Sequence, residues 1–223
     1  GLGNNLIARD EYLQRIDFLL KDANKVFISE SKRDDWGLDG NVILPGIDMA
    51  EHGGYEGSHA AVFRVGNLFK ERDLMLGYSA SQAIIKDLPC ITLGLNPAIP
   101  ESRLSRGFDD LKNHYRLCRL YLNTTVDEYE DGYNLSMLEA KATGMPVVST
   151  DNKTSPIVDG FNGFISKDIS YLRDRAAFLL KNPEAAAALC KKARDTVQEK
   201  YSMTAFLKNW NKAIQESIVG YLK

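Results

Sequence analysis

The chain is short of cysteine, has no long apolar run and carries no excess of charge, and each shortage removes a class of function. Its three cysteines, Cys90, Cys118 and Cys190, stand at no metal-binding or redox spacing. Two fall within apolar patterns, the signature of buried free thiols in a reducing, cytoplasmic setting. Lysine and arginine number 28 against 30 acidic residues, a formal charge of −2. They are scattered, with no basic stripe interleaved with aromatics, which argues against a nucleic acid partner. No stretch is apolar and long enough to span a bilayer, and no secretory leader pattern is present; peripheral membrane association of a full-length protein stays open. The three histidines offer little for a metal: His52 and His59 lie seven apart with no cysteine nearby, and His114 reads as a helix-surface residue. No internal repeat or low-complexity tract is found.

What is present has the make-up of an α/β protein. With 223 residues, 44% hydrophobic and 26% charged, the chain can bury one substantial core. Ala60–Gly66 reads as a strand, followed by a loop and a helical segment through Ile84 and Ile85. Cys90–Asn96 reads as a second buried strand, Phe108–Cys118 as a helix, and Arg119–Thr124 as a third strand. Apolar runs this short and continuous belong to a sheet covered on both faces. The fold expected is therefore a Rossmann-like parallel sheet flanked by helices, with strands near Val62, Thr92, Leu120, Val148 and Phe164. Helices follow over 169–180, 183–201 and 203–222, the last with an apolar stripe of Phe206, Leu207, Trp210, Ile214, Ile218 and Tyr221.

The densest information lies in DGYNLSMLEAKATGMPVVSTDNKTSPIVDGFNG, Asp131 to Gly163. Asn134 is placed to N-cap a helix whose apolar positions Leu135, Leu138, Ala142 and Met145 fall at helical spacing, and Gly144 and Pro146 end it. The free amides and positive dipole end of that helix gather beside Asp131 and Gly132, a setting that suits an anionic diphosphate. Glu139, deeper in the helix, is an acceptor suited to a ribose hydroxyl pair. Either acid alone would read as a solvated helix-start carboxylate; the order of the surrounding elements gives them weight.

This order resembles the donor-binding, C-terminal half of the GT-B glycosyltransferases, most closely the retaining family 4, the group 1 glycosyl transferases. In that family two glutamates separated by seven residues precede Ala-x-Ala-x-Gly-x-Pro-Val-Val. Here Asp131 and Glu139 are followed by Ala140, Ala142, Gly144, Pro146, Val147 and Val148. Either Asp131 takes the first acid's role or a local bulge lets Glu130 do so. The family's first donor-domain strand ends in Gly-Arg with a lysine five residues on. This chain has Gly66, Asn67 and then Arg72, so one cation is lost, with Lys70 available from the same loop. Gly94, Asn96 and Pro97 stand for the family's Gly-x-Gly-Pro turn, and Asn152–Ser155 replace its Gly-Gly loop. The resemblance implies that Gly66, Asn67 and Arg72 face the diphosphate and Asp131 the sugar hydroxyls. It places the backbone from Gly132 through Tyr133 and Asn134 to Leu135 on phosphate and sugar, and Glu139 on the ribose. Asp131 and Arg72 become the candidate catalytic groups. It implies no metal and no cofactor beyond the nucleoside-diphosphate sugar itself.

Residues 1–57 resemble the end of the family's N-terminal acceptor domain and its interdomain linker, through Asn24–Ser31 and Val42–Asp48. Residues 58–202 correspond to the donor-binding domain and 203–223 to a C-terminal helix. A GT-B enzyme needs two such domains, so the sequence is expected to be a piece of a longer protein, inactive without its acceptor domain. Glu51–Ser58, with three glycines, is the expected linker or disordered tip. Two other readings remain: a catalytically degenerate donor-like domain serving in a larger assembly, and, less supported, a nucleotide-sugar epimerase, whose extra acid-base residues are not identifiable.

Overall fold

A computed structural model of the chain describes residues 6–129 and 132–221, so Glu130 and Asp131 lie outside the described residues. In chain order its elements are α1 (Leu6–Leu19), β1 (Val26–Phe27), α2 (Glu30–Trp36), β2 (Asn41–Val42), β3 (His59–Val65), α3 (Asp73–Leu76), α4 (Tyr78–Ile85), β4 (Cys90–Leu93) and α5 (Phe108–Leu117). These lead to β5 (Cys118–Asn123), a 3-10 turn at Asp127–Tyr129, α6 (Leu135–Thr143), β6 (Val147–Thr150), β7 (Phe164–Ser166), α7 (Ile169–Lys181), α8 (Pro183–Lys200) and α9 (Met203–Tyr221).

The chain divides into two compact units. The smaller joins residues up to Gly46 with those from Met203 onward. In it β1 and β2 pair in parallel, and the Asn24 amide donates to Ala213 O (3.0 Å) and Ser217 Oγ (3.1 Å).

The larger unit, Ile47–Ser202, holds a five-stranded sheet in the order β4-β3-β5-β6-β7, with every pairing parallel. All five expected strand positions fall in it: Val62 pairs with Leu120, Arg64 with Thr92, and Val148 with Phe164. Successive side chains point to opposite faces of a strand. Val62, Leu120 and Val148 accordingly pack on one face with Ile84 of α4, Leu172, Ala176 and Leu179 of α7 and Leu189 of α8. Phe63, Tyr121 and Val147 pack on the other with Tyr115 of α5 and Met137 and Ala140 of α6. Every residue of β5 is buried, as a central parallel strand requires, and each large apolar side chain enclosed this way contributes roughly 1.5–3 kcal/mol.

Residues 51–58, expected to be a linker or disordered tip, form no helix or strand, yet they are tied down. Tyr55 packs against both core clusters and its hydroxyl donates to Arg119 O (2.7 Å). The amides of Glu56 and Gly57 donate to Arg116 O (2.9 and 3.0 Å). One aromatic anchor outweighs the three glycines on which the expectation rested.

The topology also fixes where a ligand would sit. From β3 the chain passes to α4 on one face of the sheet, while from β5 it passes to α6 on the other. These neighbouring strands thus have carboxyl ends whose loops diverge, opening the crevice in which open parallel sheets bind ligands.

Candidate functional site

Helix α6 opens onto that crevice. Asn134 adopts extended backbone geometry and its Oδ1 accepts from Met137 N at 2.9 Å, an N-cap worth about 1 kcal/mol. Its Nδ2 donates to Asn123 Oδ1 (2.9 Å) at the end of β5 and lies 3.4 Å from Thr125 Oγ1, so the cap is bolted to the strand. The amides of Leu135 and Ser136 belong to the first turn, where no intrahelical acceptor exists. At the far end Gly144 takes a left-handed conformation (φ 99°), and a side chain there would strike Cys190 Sγ. Gly132 is buried and its carbonyl accepts from Thr154 Oγ1 (2.9 Å); Tyr133 stacks edge-on with Tyr201 (5.1 Å).

Glu139 is half buried, and its Oε2 accepts from the hydroxyl of the fully buried Tyr115 at 2.9 Å. Burial pushes its carboxyl above the usual range, and the Tyr115 hydrogen bond pulls it part of the way back. Oε1 has no hydrogen-bond partner among the described residues.

The loop after β3 carries the other expected residues. Asn67 and Arg72 are both exposed, as is Lys70. Asn67 Oδ1 accepts from Leu95 N at 2.8 Å, so the side chain ties this loop to the one after β4, and only its Nδ2 remains to donate. The Arg72 guanidinium has Met75 Sδ at 3.9 Å and makes no ion pair among the described residues. Gly66 joins the same junction: Asn96 Nδ2 donates to Gly66 O (2.9 Å) and Ser102 Oγ (3.0 Å) while its Oδ1 accepts from Phe69 N (2.9 Å). Gly94 (φ 123°) leaves room for the approach, since a side chain there would collide with Gly66 O. Asn96 thus does more than fill a glycine's place in a turn.

One group at this end of the sheet escaped the sequence reading. Arg64, 3% exposed, donates from Nε to Thr92 Oγ1 (2.8 Å) and from Nη1 to Ser81 Oγ. It is held between the rings of Phe69 (5.1 Å) and Tyr78 (5.5 Å). It has no carboxylate partner among the described residues, so a positive charge lies beneath the loop that begins at Gly66. Its only signal in the sequence is a cation inside an apolar strand. On the loop after β6, Asn152 Nδ2 and Ser155 Oγ are buried with no partner among the described residues, although Lys153 N donates to Asp127 Oδ1 (2.7 Å).

A cleft of about 310 Å³ lies at the carboxyl ends of β5 and β6, lined by residues that include Thr124, Thr125, Asp127, Thr150 and Asp151. A larger one, about 600 Å³, is lined by His52, Gly53, Lys112, Arg116 and Thr143 among others. Arg116 and Thr143 close α5 and α6, which places this cleft toward the strands' amino ends. Its cations are already paired, Lys112 with Glu51 and Asp109 (3.1 Å each) and Arg116 with Glu56 (3.6 Å). The strand-end crevice is the better anion site. Among the described residues no group of three or more potential metal ligands is found, and no helix is long and apolar enough to cross a membrane.

Comparison with known proteins agrees with this geometry. Residues 74–182 match the family described as Glycosyl transferases group 1. A poly(ribitol-phosphate) alpha-N-acetylglucosaminyltransferase of Staphylococcus aureus is 36% identical over 94 residues, 40% of this chain and 19% of that protein. The match therefore spans about a fifth of that relative's length. The structure is similar to that of Anabaena Alr3699/HepE, solved in complex with UDP and glucose, with a TM-score of 0.74 at 12% identity over 91% of this chain and 66% of that one. It is also similar to the C-terminal domain of the group 1 family protein LpcC of Francisella tularensis, with a TM-score of 0.52 at 16% identity over 71% of this chain and 100% of that one. Residues 74–182 thus match the group 1 glycosyl transferase family, and the larger unit that contains them is built as one half of the GT-B fold.

Proposed function

We propose that the chain is the donor-binding half of a retaining glycosyltransferase that takes a nucleoside-diphosphate sugar. The observation that carries this reading is the juxtaposition at α6: a capped helix start opening onto the β3/β5 crevice, with the half-buried Glu139 about one turn inside. Glu139 accepts from the ribose hydroxyls. The diphosphate lies against the backbone from Gly132 to Leu135 leading into α6, with Arg72 and the Nδ2 of Asn67 reaching it from the β3 loop. Asp131 holds the sugar hydroxyls. The UDP and glucose named with HepE make a uridine nucleotide the first to try.

Transfer in this scheme is stabilisation of charge on the departing diphosphate together with positioning of an acceptor across a cleft. Residues 1–57 are assigned to the end of an acceptor domain and its linker, 58–202 to the donor domain and 203–223 to the closing helix. The chain by itself binds donor and leaves acceptors untouched, because the second wall of the cleft belongs to the acceptor domain. A donor-like domain without catalysis is the second reading, favoured by the use of Asn67 Oδ1 to hold Leu95 N where the family has a phosphate-binding arginine. A calorimetric screen of UDP-, GDP- and ADP-sugars separates the two. One nucleotide class binding at a single site supports the proposal, and silence from all three supports the degenerate domain.

A further inference from the structure

Tyr115 sits at the centre of one core cluster, 0% exposed and edge-on to Phe63 (5.4 Å between ring centroids). A hydroxyl at such depth costs free energy unless it is hydrogen-bonded, so a phenylalanine would be the default filler of the space. Here the hydroxyl donates to Glu139 Oε2 (2.9 Å). The other oxygen is left without a partner among the described residues.

We propose that Tyr115 is a positioning residue that fixes the Glu139 carboxylate so that its free oxygen meets a ribose hydroxyl, giving the site its preference for ribonucleotides. This rests on the donor-site reading above. A carboxylate free to rotate loses part of its directional hydrogen bonding, and the loss falls on ligands that carry the hydroxyl. A ligand without it has nothing to lose. Tyr115 itself touches no ligand.

The test is calorimetric titration of UDP, GDP and ADP, each beside its 2′-deoxy and 3′-deoxy forms, into the wild-type chain, Tyr115→Phe and Glu139→Gln. The wild-type chain is expected to prefer the ribonucleotide over at least one deoxy form by about tenfold, the discrimination of one good hydrogen bond to a charged group. In Tyr115→Phe that preference should shrink to about twofold, with affinity for the deoxy form unchanged. Equal weakening of both ligands, or an intact preference, would overturn the positioning role while leaving the donor site standing. Wild-type chain that binds no nucleotide would remove the donor-site reading and this inference with it. If Tyr115→Phe fails to fold, Tyr115→Met carries the test, since it also removes the hydroxyl and its flexible side chain fills the space. The same loss of ribose preference supports the role, and no loss overturns it. Where all variants fold, Tyr115→Phe/Glu139→Gln should lose no more preference than Glu139→Gln alone, as residues acting through one another do.

Discussion

Replacing Lys141 should change the pH dependence of stability in a calculable way. Lys141 lies within α6, 0% exposed, and its Nζ donates to Asn162 O at 2.8 Å. Burial, with a further contribution from the Lys200 charge, lowers its pKa from about 10.5 to about 7. Between those values the unfolded chain holds a proton that the folded chain has released, so stability rises with pH across that window. The slope approaches about 1.4 kcal/mol per pH unit, and integrating from pH 7 to pH 9 gives a gain of about 2 kcal/mol. Lys141→Met removes the titration. It also strips Asn162 O of its donor, which costs roughly 1–3 kcal/mol, but that cost does not vary with pH. The quantity to measure is therefore the stability difference between wild type and variant, from urea unfolding followed by circular dichroism at pH 6, 7, 8 and 9. Wild type should gain about 2 kcal/mol on the variant between pH 7 and pH 9 and little between pH 6 and pH 7. A difference constant across the series would refute a neutral buried lysine.

Three further outcomes are expected. Arg72→Ala should weaken nucleoside-diphosphate binding by roughly 1.5–3 kcal/mol, the scale of a charge-assisted hydrogen bond, with an unchanged melting temperature because the side chain is exposed; a titration indistinguishable from wild type would remove the β3 loop from the phosphate site. Asn67→Arg should tighten diphosphate binding by restoring a unit charge, and lower the melting temperature because Leu95 N loses its acceptor; weaker binding would contradict the placement. Asn134→Ala should cost about 2 kcal/mol or more in denaturant unfolding, since the cap and the tie to Asn123 are lost together; a cost under about 0.5 kcal/mol would show that the cap is not holding the helix.

The sheet and the helices of the larger unit were legible in the sequence because their signals are local. The run through β5, α6 and β6 alternates strand and helix periods, with Asn134 and Gly144 marking both helix ends, and the structure places the caps at those residues. The tether at Tyr55 was hidden by the glycines around it. Contacts that span distant segments left no such trace. Arg64 is satisfied by Thr92 and Ser81, 28 and 17 residues away, and Asn96 by Gly66, 30 residues away. Tyr115 occupies an apolar helix position, and only the fold brings its hydroxyl to Glu139, 24 residues on. Asn67 shows the converse limit: its exposure fits the phosphate-loop expectation, but half of its amide is already committed to Leu95.

The most direct test of the central claim is to map the nucleotide onto the backbone by amide chemical shifts in this 24.9 kDa chain. On adding UDP, with GDP and ADP as alternatives, the account predicts shifts concentrated at Gly66, Asn67, Arg72 and Gly132 through Ser136, on both sides of the β3/β5 crevice. Shifts confined to His52–Gly54 and the α5 residues Lys112 and Arg116, around the larger cleft, would contradict it.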